Sequence, residues 1–355
     1  MRLQLTLAAL VVAAPASARA QTAFSSKVQV YVDGDHTEVV SPLVRAQADV
    51  GTATNVSASY VADVVSSASV DVVSQASPAT VHDTRHQVAM AVTQDLGEQT
   101  VHAAYLFSIE NDYRSHTLEL GGERRLAGGS ATVAAGYSLS LDRVGRADDD
   151  NFHRSLAVHG ASASFTQILS PRTIAQVTVT GGAAFGFQAS PYRFVPVRAD
   201  MDAEPAYWVA ETDPDHRWRG AVVAELNRFV LRDSAVHADY RHYRDTWGIT
   251  SHTFGAGYSV NLSPGVELRL RNRFYTQSGA SFYRARYDQT MRYMTIDREL
   301  GPLWSETLGA KLMARVGHRA EIEVKADGFY FRYLDFPLLR SRLGANLGIG
   351  VQLTY

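Results

Sequence analysis

The last thirteen residues, Leu343 to Tyr355, alternate without a break. Leu343, Ala345, Leu347, Ile349, Val351, Leu353 and Tyr355 are apolar, and Gly, Asn, Gln or Thr stands between them. A period of two is the signature of a strand with one apolar and one polar face. A tilted strand of about 9–11 residues crosses the hydrocarbon core of a bilayer. An apolar edge of this length would template aggregation in water. In lipid it has to close against other strands, because unpaired backbone groups are not tolerated there. The terminal stretch therefore predicts a barrel, and the rest of the chain has to supply the other strands.

It does so at regular intervals. Alternating segments are predicted near residues 26–32, 37–50, 55–65, 86–93, 101–110, 113–124, 131–141 and 153–167. Others follow near 177–185, 217–227, 235–243, 249–262, 266–274, 304–314 and 320–333, before the terminal segment. The total is about sixteen, with fourteen to eighteen inside the margin of boundaries read from sequence. Connections after even-numbered segments are short and hold Gly, Pro, Asp or Ser, as in Ser263-Pro264-Gly265. The long ones, 188–216 and 277–302, follow odd-numbered segments. Short turns on one rim and long loops on the other are the layout of an outer-membrane barrel. A soluble sandwich would have strands nearer five or six residues. The expected fold class is all-β, a transmembrane antiparallel up-and-down barrel with both termini on the periplasmic side. An eight-residue repeat, 62–69 followed by 70–77, is too short for a solenoid, and its second copy is expected to form an ordered loop between the third and fourth segments.

Composition narrows the function. The formal charge of −2 gives no support to nucleic-acid binding, and the absence of cysteine excludes disulfides and thiol chemistry. Arg2, the apolar run 3–14 and Ala18-Arg19-Ala20 match the three parts of a secretory signal peptide, so residues 1–20 are expected to be removed and 21–355 to form the barrel. Gly350, Val351, Leu353 and Tyr355 resemble the carboxy-terminal signal read by the barrel assembly machinery. That machinery and outer-membrane lipid are the expected partners.

The polar faces of the later segments carry charge. Glu267, Arg269, Arg271 and Arg273 alternate with apolar residues, as do Glu321, Glu323, Lys325 and Asp327. His237, Asp239 and Arg241 lie on a third segment, and Arg217 and Arg219 on a fourth. On the lipid face such charges would cost roughly 2–4 kcal/mol each, so they are expected to line the lumen, a basic ladder facing an acidic one. Either they pair across the lumen, or the arginines select an anionic solute. Asp33, Asp35, Asp63 and Asp71 cluster near one rim and offer oxygen ligands of the kind calcium takes, although solvated turn aspartates are commoner. The nucleophile elbow G-x-S-x-G and the zinc motif H-E-x-x-H are both missing, and no enzyme activity is expected.

Two stretches carry a family resemblance: Tyr31-Val32-Asp33-Gly34-Asp35, and Asp71-Val72-Val73-Ser74-Gln75-Ala76-Ser77-Pro78. Together with Pro191-Tyr192-Arg193-Phe194-Val195-Pro196, Asp245-Thr246-Trp247-Gly248-Ile249 and Tyr283-Arg284-Ala285-Arg286-Tyr287, they resemble an uncharacterised bacterial domain-of-unknown-function family of outer-membrane barrels. The resemblance implies fold and location and no activity. The expected function is a passive or solute-selective channel. The alternative is a non-conducting scaffold, plugged by loops 188–216 and 277–302, that binds a partner.

Overall fold

The computed structural model describes residues 22–67 and 81–355. Eighteen strands run in chain order: β1 (Thr22–Asp33), β2 (Thr37–Val50), β3 (Thr54–Ser67), β4 (Val81–Asp95), β5 (Gln99–Ile109), β6 (Tyr113–Leu126), β7 (Ala131–Val144), β8 (Arg154–Ser170), β9 (Thr173–Gly186), β10 (Phe194–Val197), β11 (Tyr207–Ala210), β12 (His216–Leu231), β13 (Ser234–Asp245), β14 (Thr250–Ser263), β15 (Val266–Gln277), β16 (Leu303–Val316), β17 (Ala320–Tyr333) and β18 (Ser341–Thr354). All but β10 and β11 form one closed antiparallel barrel in which each strand pairs with its chain neighbours. β9 pairs directly with β12, so the short β10–β11 hairpin stands outside the barrel sheet. Barrel strands run from 11 residues in β5 to 17 in β8, enough to cross a bilayer at a tilt.

The seam is the β1–β18 pair. Its rungs run from Ala23 opposite Thr354 to Asp33 opposite Gly344. The alternation of Leu343–Tyr355 appears here as apolar residues facing outward: Leu343, Leu347, Ile349 and Val351 are exposed. The same band continues around the barrel through Val64, Val88, Leu118, Val179, Val222, Phe254, Leu270 and Leu308. Large aliphatic side chains left exposed all the way round a closed sheet are what a lipid-facing surface requires.

Connections after β2, β4, β6, β8, β12, β14 and β16 are short and share one rim. In the turn after β14, Gly265 takes φ 91°, a conformation that L side chains rarely adopt. Thr22 and Tyr355 exchange backbone hydrogen bonds on this rim. The opposite rim carries the long segments 187–215, between β9 and β12, and 278–302, between β15 and β16. The first copy of the eight-residue repeat continues β3 to its end at Ser67, and the second copy, with Asp71, lies outside the described residues.

Candidate functional site

Segments 187–215 and 278–302 fold together into a cap with its own core. β10 and β11 form a hairpin, and Val197 bridges to Tyr287 while Thr212 bridges to Met294. Val195, Val197, Tyr287, Met294 and Ile296 are buried together. The Tyr287 hydroxyl donates to the Phe282 carbonyl at 2.5 Å and accepts from the Thr295 backbone N–H at 3.0 Å. Under this core lies a carboxylate whose charge is fully engaged. Glu211 accepts from the Ser190 backbone N–H at 2.8 Å, from Arg193 at 3.1 Å and from the Thr295 hydroxyl at 2.5 Å. Arg193 also reaches Asp297 at 2.9 Å. Two residues on, burial, with Glu211 and Asp297 as neighbouring charges, pushes the Asp213 carboxyl up to about 7.

The cap is tied to the barrel on several sides. Tyr192 donates its hydroxyl to Asp112 after β5 and accepts from the Ala147 backbone N–H after β7 at 2.7 Å. Trp247 and Ile249, after β13, pack against Ala280 and Tyr283. The Tyr283 hydroxyl donates to the Asp335 carbonyl after β17 at 2.6 Å. Arg298 pairs with Asp35 in the first hairpin at 2.5 Å, both nearly fully buried. Glu299 accepts from Tyr333 at 3.0 Å and from Arg342 at 3.2 Å. These contacts reach the connections of five other hairpins, so the cap spans the mouth rather than one edge of it.

Beneath the cap, β12 to β17 form a charged wall. The expected basic ladder does not face its acidic counterpart across the lumen. Pairs form instead along one strand or between near neighbours: Arg269 with Glu267 at 2.5 Å, Lys325 with Asp327 at 2.9 Å, Arg271 with Asp327 at 2.7 Å, and Lys27 and Lys311 with Glu323. Glu321 is 4.0 Å from Arg315. Arg271 on β15 and Asp327 on β17 meet over Gly309 of the intervening strand, where an added Cβ would meet both side chains. Lateral pairing wins because a neighbour on a tilted strand is far closer than the opposite wall of a sixteen-stranded barrel. Arg217 is held by Asp245 at 2.5 Å and lies over the Trp247 ring at 4.3 Å. His237 meets Asp239 at 3.0 Å.

Three arginines of the wall behave differently. Arg219, Arg241 and Arg273 are exposed on β12, β13 and β15 and form no ion pair among the described residues. Arg241 lies over the Tyr243 ring at 5.7 Å, and Arg273 over the Tyr275 ring at 5.6 Å. The aromatic face supports the guanidinium without neutralising it. On β5 to β9 a cavity of about 340 Å³ is bordered by Gly136, Ser138, Gly160 and Ser162 together with His102 and the carboxylate of Glu119.

The family model for a protein of unknown function, DUF3570, matches residues 3–159 and 153–334. The chain belongs to the DUF3570 family. A search of curated proteins finds no match. Among solved structures, the DUF3570 chain is similar to a bacterial polysaccharide outer membrane secretin, with TM-score 0.55 and 9% identity over 95% of this chain and 98% of that one. It is also similar to CdiB from Acinetobacter baumannii, with TM-score 0.54 and 9% identity over 94% of this chain and 60% of that one, so it spans about three-fifths of CdiB. At these identities the likeness establishes the fold, a barrel of the kind that bacterial outer-membrane proteins use.

Of the four aspartates considered for calcium, Asp33, Asp35 and Asp63 are engaged by protein donors in this DUF3570 member, and Asp71 lies outside the described residues. Asp33 accepts from the backbone N–H of Asp35 at 2.9 Å and of Thr37 at 3.1 Å, and from the Tyr31 hydroxyl at 2.6 Å. Those bonds shape a turn in which His36 takes φ 58°. Asp35 is held by Arg298, and Asp63 by Arg85 and Ser41. Among the described residues, the carboxylates that come within one ion's reach are Asp83, Glu110 and Asp112 instead. Burial first, and Asp83 beside it, holds the Glu110 carboxyl above its usual range. The partners of the wall, Lys27 and Lys311, and the cap core escaped the sequence reading. The length of loops 188–216 and 277–302 and the aromatic and Pro-rich stretches 191–196 and 283–287 marked the segments that form the cap, but not their fold.

Proposed function

We propose that this protein is an outer-membrane channel for small anionic solutes, with the capped rim outside and both ends of the barrel sheet on the periplasmic side. The observation that carries this reading is the set of arginines without an ion pair among the described residues, Arg219, Arg241 and Arg273, on a wall whose other charges are largely compensated. Two are cushioned on tyrosine rings, which orients them and leaves their charge acting on the lumen. A sixteen-stranded barrel is wide enough to hold water beside them. The small residues Gly136, Ser138, Gly160 and Ser162 support a path that the cap narrows from above.

Planar-bilayer recording tests the reading. Steady open channels with a reversal potential favouring anions are expected, and cation preference or its absence in an open channel would refute the solute class. One observation favours a second reading, a plugged scaffold: the cap has a core buried to interior levels and ties to five neighbouring connections. Persistent electrical silence of properly inserted protein would select the scaffold.

A further inference from the structure

Arg114 on β6 and Arg143 on β7 stand directly opposite each other across the antiparallel pair. Both are exposed and share the outward face with Leu118, Leu120, Tyr137 and Leu141. Like charges facing each other across strands destabilise a sheet. Among the described residues neither arginine forms an ion pair. The pair therefore sets two cations, neither with an ion pair among the described residues, side by side on the outward face.

The height of the pair on the barrel points to the kind of anion. Four hairpins carry the same outward device, a tyrosine hydroxyl bonded to a histidine Nδ1: Tyr60 with His86 at 2.8 Å, Tyr105 with His116 at 2.7 Å, Tyr137 with His159 at 2.7 Å and Tyr240 with His252 at 2.8 Å. All four sit on hairpins that turn at the long-loop rim. Amphipathic rings with a polar tip belong where hydrocarbon gives way to headgroups. Arg114 lies two residues beyond His116 toward the rim on the same face, roughly 7 Å further out at strand rise. That is the layer of lipid phosphates.

The pair also borders a groove. A cavity of about 550 Å³ is lined by Arg114, Arg143, Arg154 and His153, and by Glu110 and Asp112 as well. Asp112 accepts from Tyr192, and among the described residues neither acid comes within ion-pair distance of Arg114 or Arg143. We infer that Arg114 and Arg143 bind the phosphate of an anionic lipid headgroup in the outer leaflet. Arginine suits this role because its planar donor fork matches phosphate oxygens.

The inference rests on the outer-membrane reading, and the experiment separates the two. Flotation with neutral phosphatidylcholine vesicles reads insertion: a barrel that fails to float overturns both. For protein that floats, native mass spectrometry follows retention of diphosphoryl lipid A, with the same glycolipid lacking phosphates and inorganic phosphate as separate arms. The wild type should retain the phosphorylated lipid preferentially. Arg114→Gln with Arg143→Gln should weaken retention about thirtyfold, the effect of two charges near a headgroup. Arg114→Lys with Arg143→Lys should keep most of it. If the double glutamine variant does not fold, Arg143→Gln alone carries the test, with a loss of about fivefold expected. Retention unchanged by these substitutions, or equal for the dephosphorylated lipid, overturns the inference. Inorganic phosphate that binds as tightly as the lipid would make this a free-anion site and overturn the lipid assignment.

Discussion

Arg298, in the segment between β15 and β16, forms a buried ion pair at 2.5 Å with Asp35 of the first hairpin, 263 residues away in the chain. Removing one member takes from a buried charge its ion-pair partner, a change that costs up to about 3–5 kcal/mol. Arg298→Met is therefore expected to loosen the cap and raise conductance, with new protease cleavage in 278–302. Adding Asp35→Asn should restore much of the loss. A double variant as impaired as Arg298→Met would show that the arginine acts through other contacts.

The Asp213 carboxyl gives the cap a pH dependence. Its folded value, raised to about 7 by burial and the nearby acids, lies above its unfolded value. Between about pH 4 and pH 7 the folded chain holds a proton that the unfolded chain has released, so stability falls as pH rises through this window and levels off above it. Asp213→Asn, which keeps the neutral form, should flatten that part of the profile. Thermal unfolding at about pH 5 and about pH 8 measures it, and an identical profile in the variant would contradict the assignment.

Arg271 and Arg273 are two residues apart on one face of β15 and should behave differently. The first is compensated by Asp327, and the second has no ion pair among the described residues. Arg273→Gln is expected to move the reversal potential toward cations by more than Arg271→Ala does, while Arg271→Ala costs more stability. Equal shifts would argue against the distinction drawn from pairing.

Gly309 is required where Arg271 and Asp327 meet above it. A Cβ there would meet Asp327 and lie 2.8 Å from the Arg271 Nε. Gly309→Val should cost about 1–3 kcal/mol through overpacking. Thermal unfolding reads it, and an unchanged midpoint would mean that the pair can shift aside freely.

The barrel was legible because a sheet in lipid repeats one rule on every strand: apolar out, polar or small in. Leu343–Tyr355 states that rule most cleanly, and even irregular β6 obeys it through His116, Leu118 and Leu120. The long connections were legible too, from their proline content and length. Their fold was not. The cap core joins Val195 and Val197 to Tyr287, Met294 and Ile296, contacts that no local period encodes. The charged wall was visible as composition, but its partners depend on register. Nothing in the alternation of β15 or β17 says that Arg271 will meet Asp327 across an intervening glycine, or that Glu323 will draw on Lys27 from the other end of the chain.

Arg342 on β18 is 3.6 Å from Asp33 on β1 and also bonds Glu299 of the cap. The three groups come from both sides of the seam and from the segment above it. They can assemble only once the first and last strands have met. The cap is therefore latched across the upper end of the seam between β1 and β18. A lateral parting of β1 from β18 would have to undo that latch, so the protein that narrows its own mouth also guards the one line along which its wall could open.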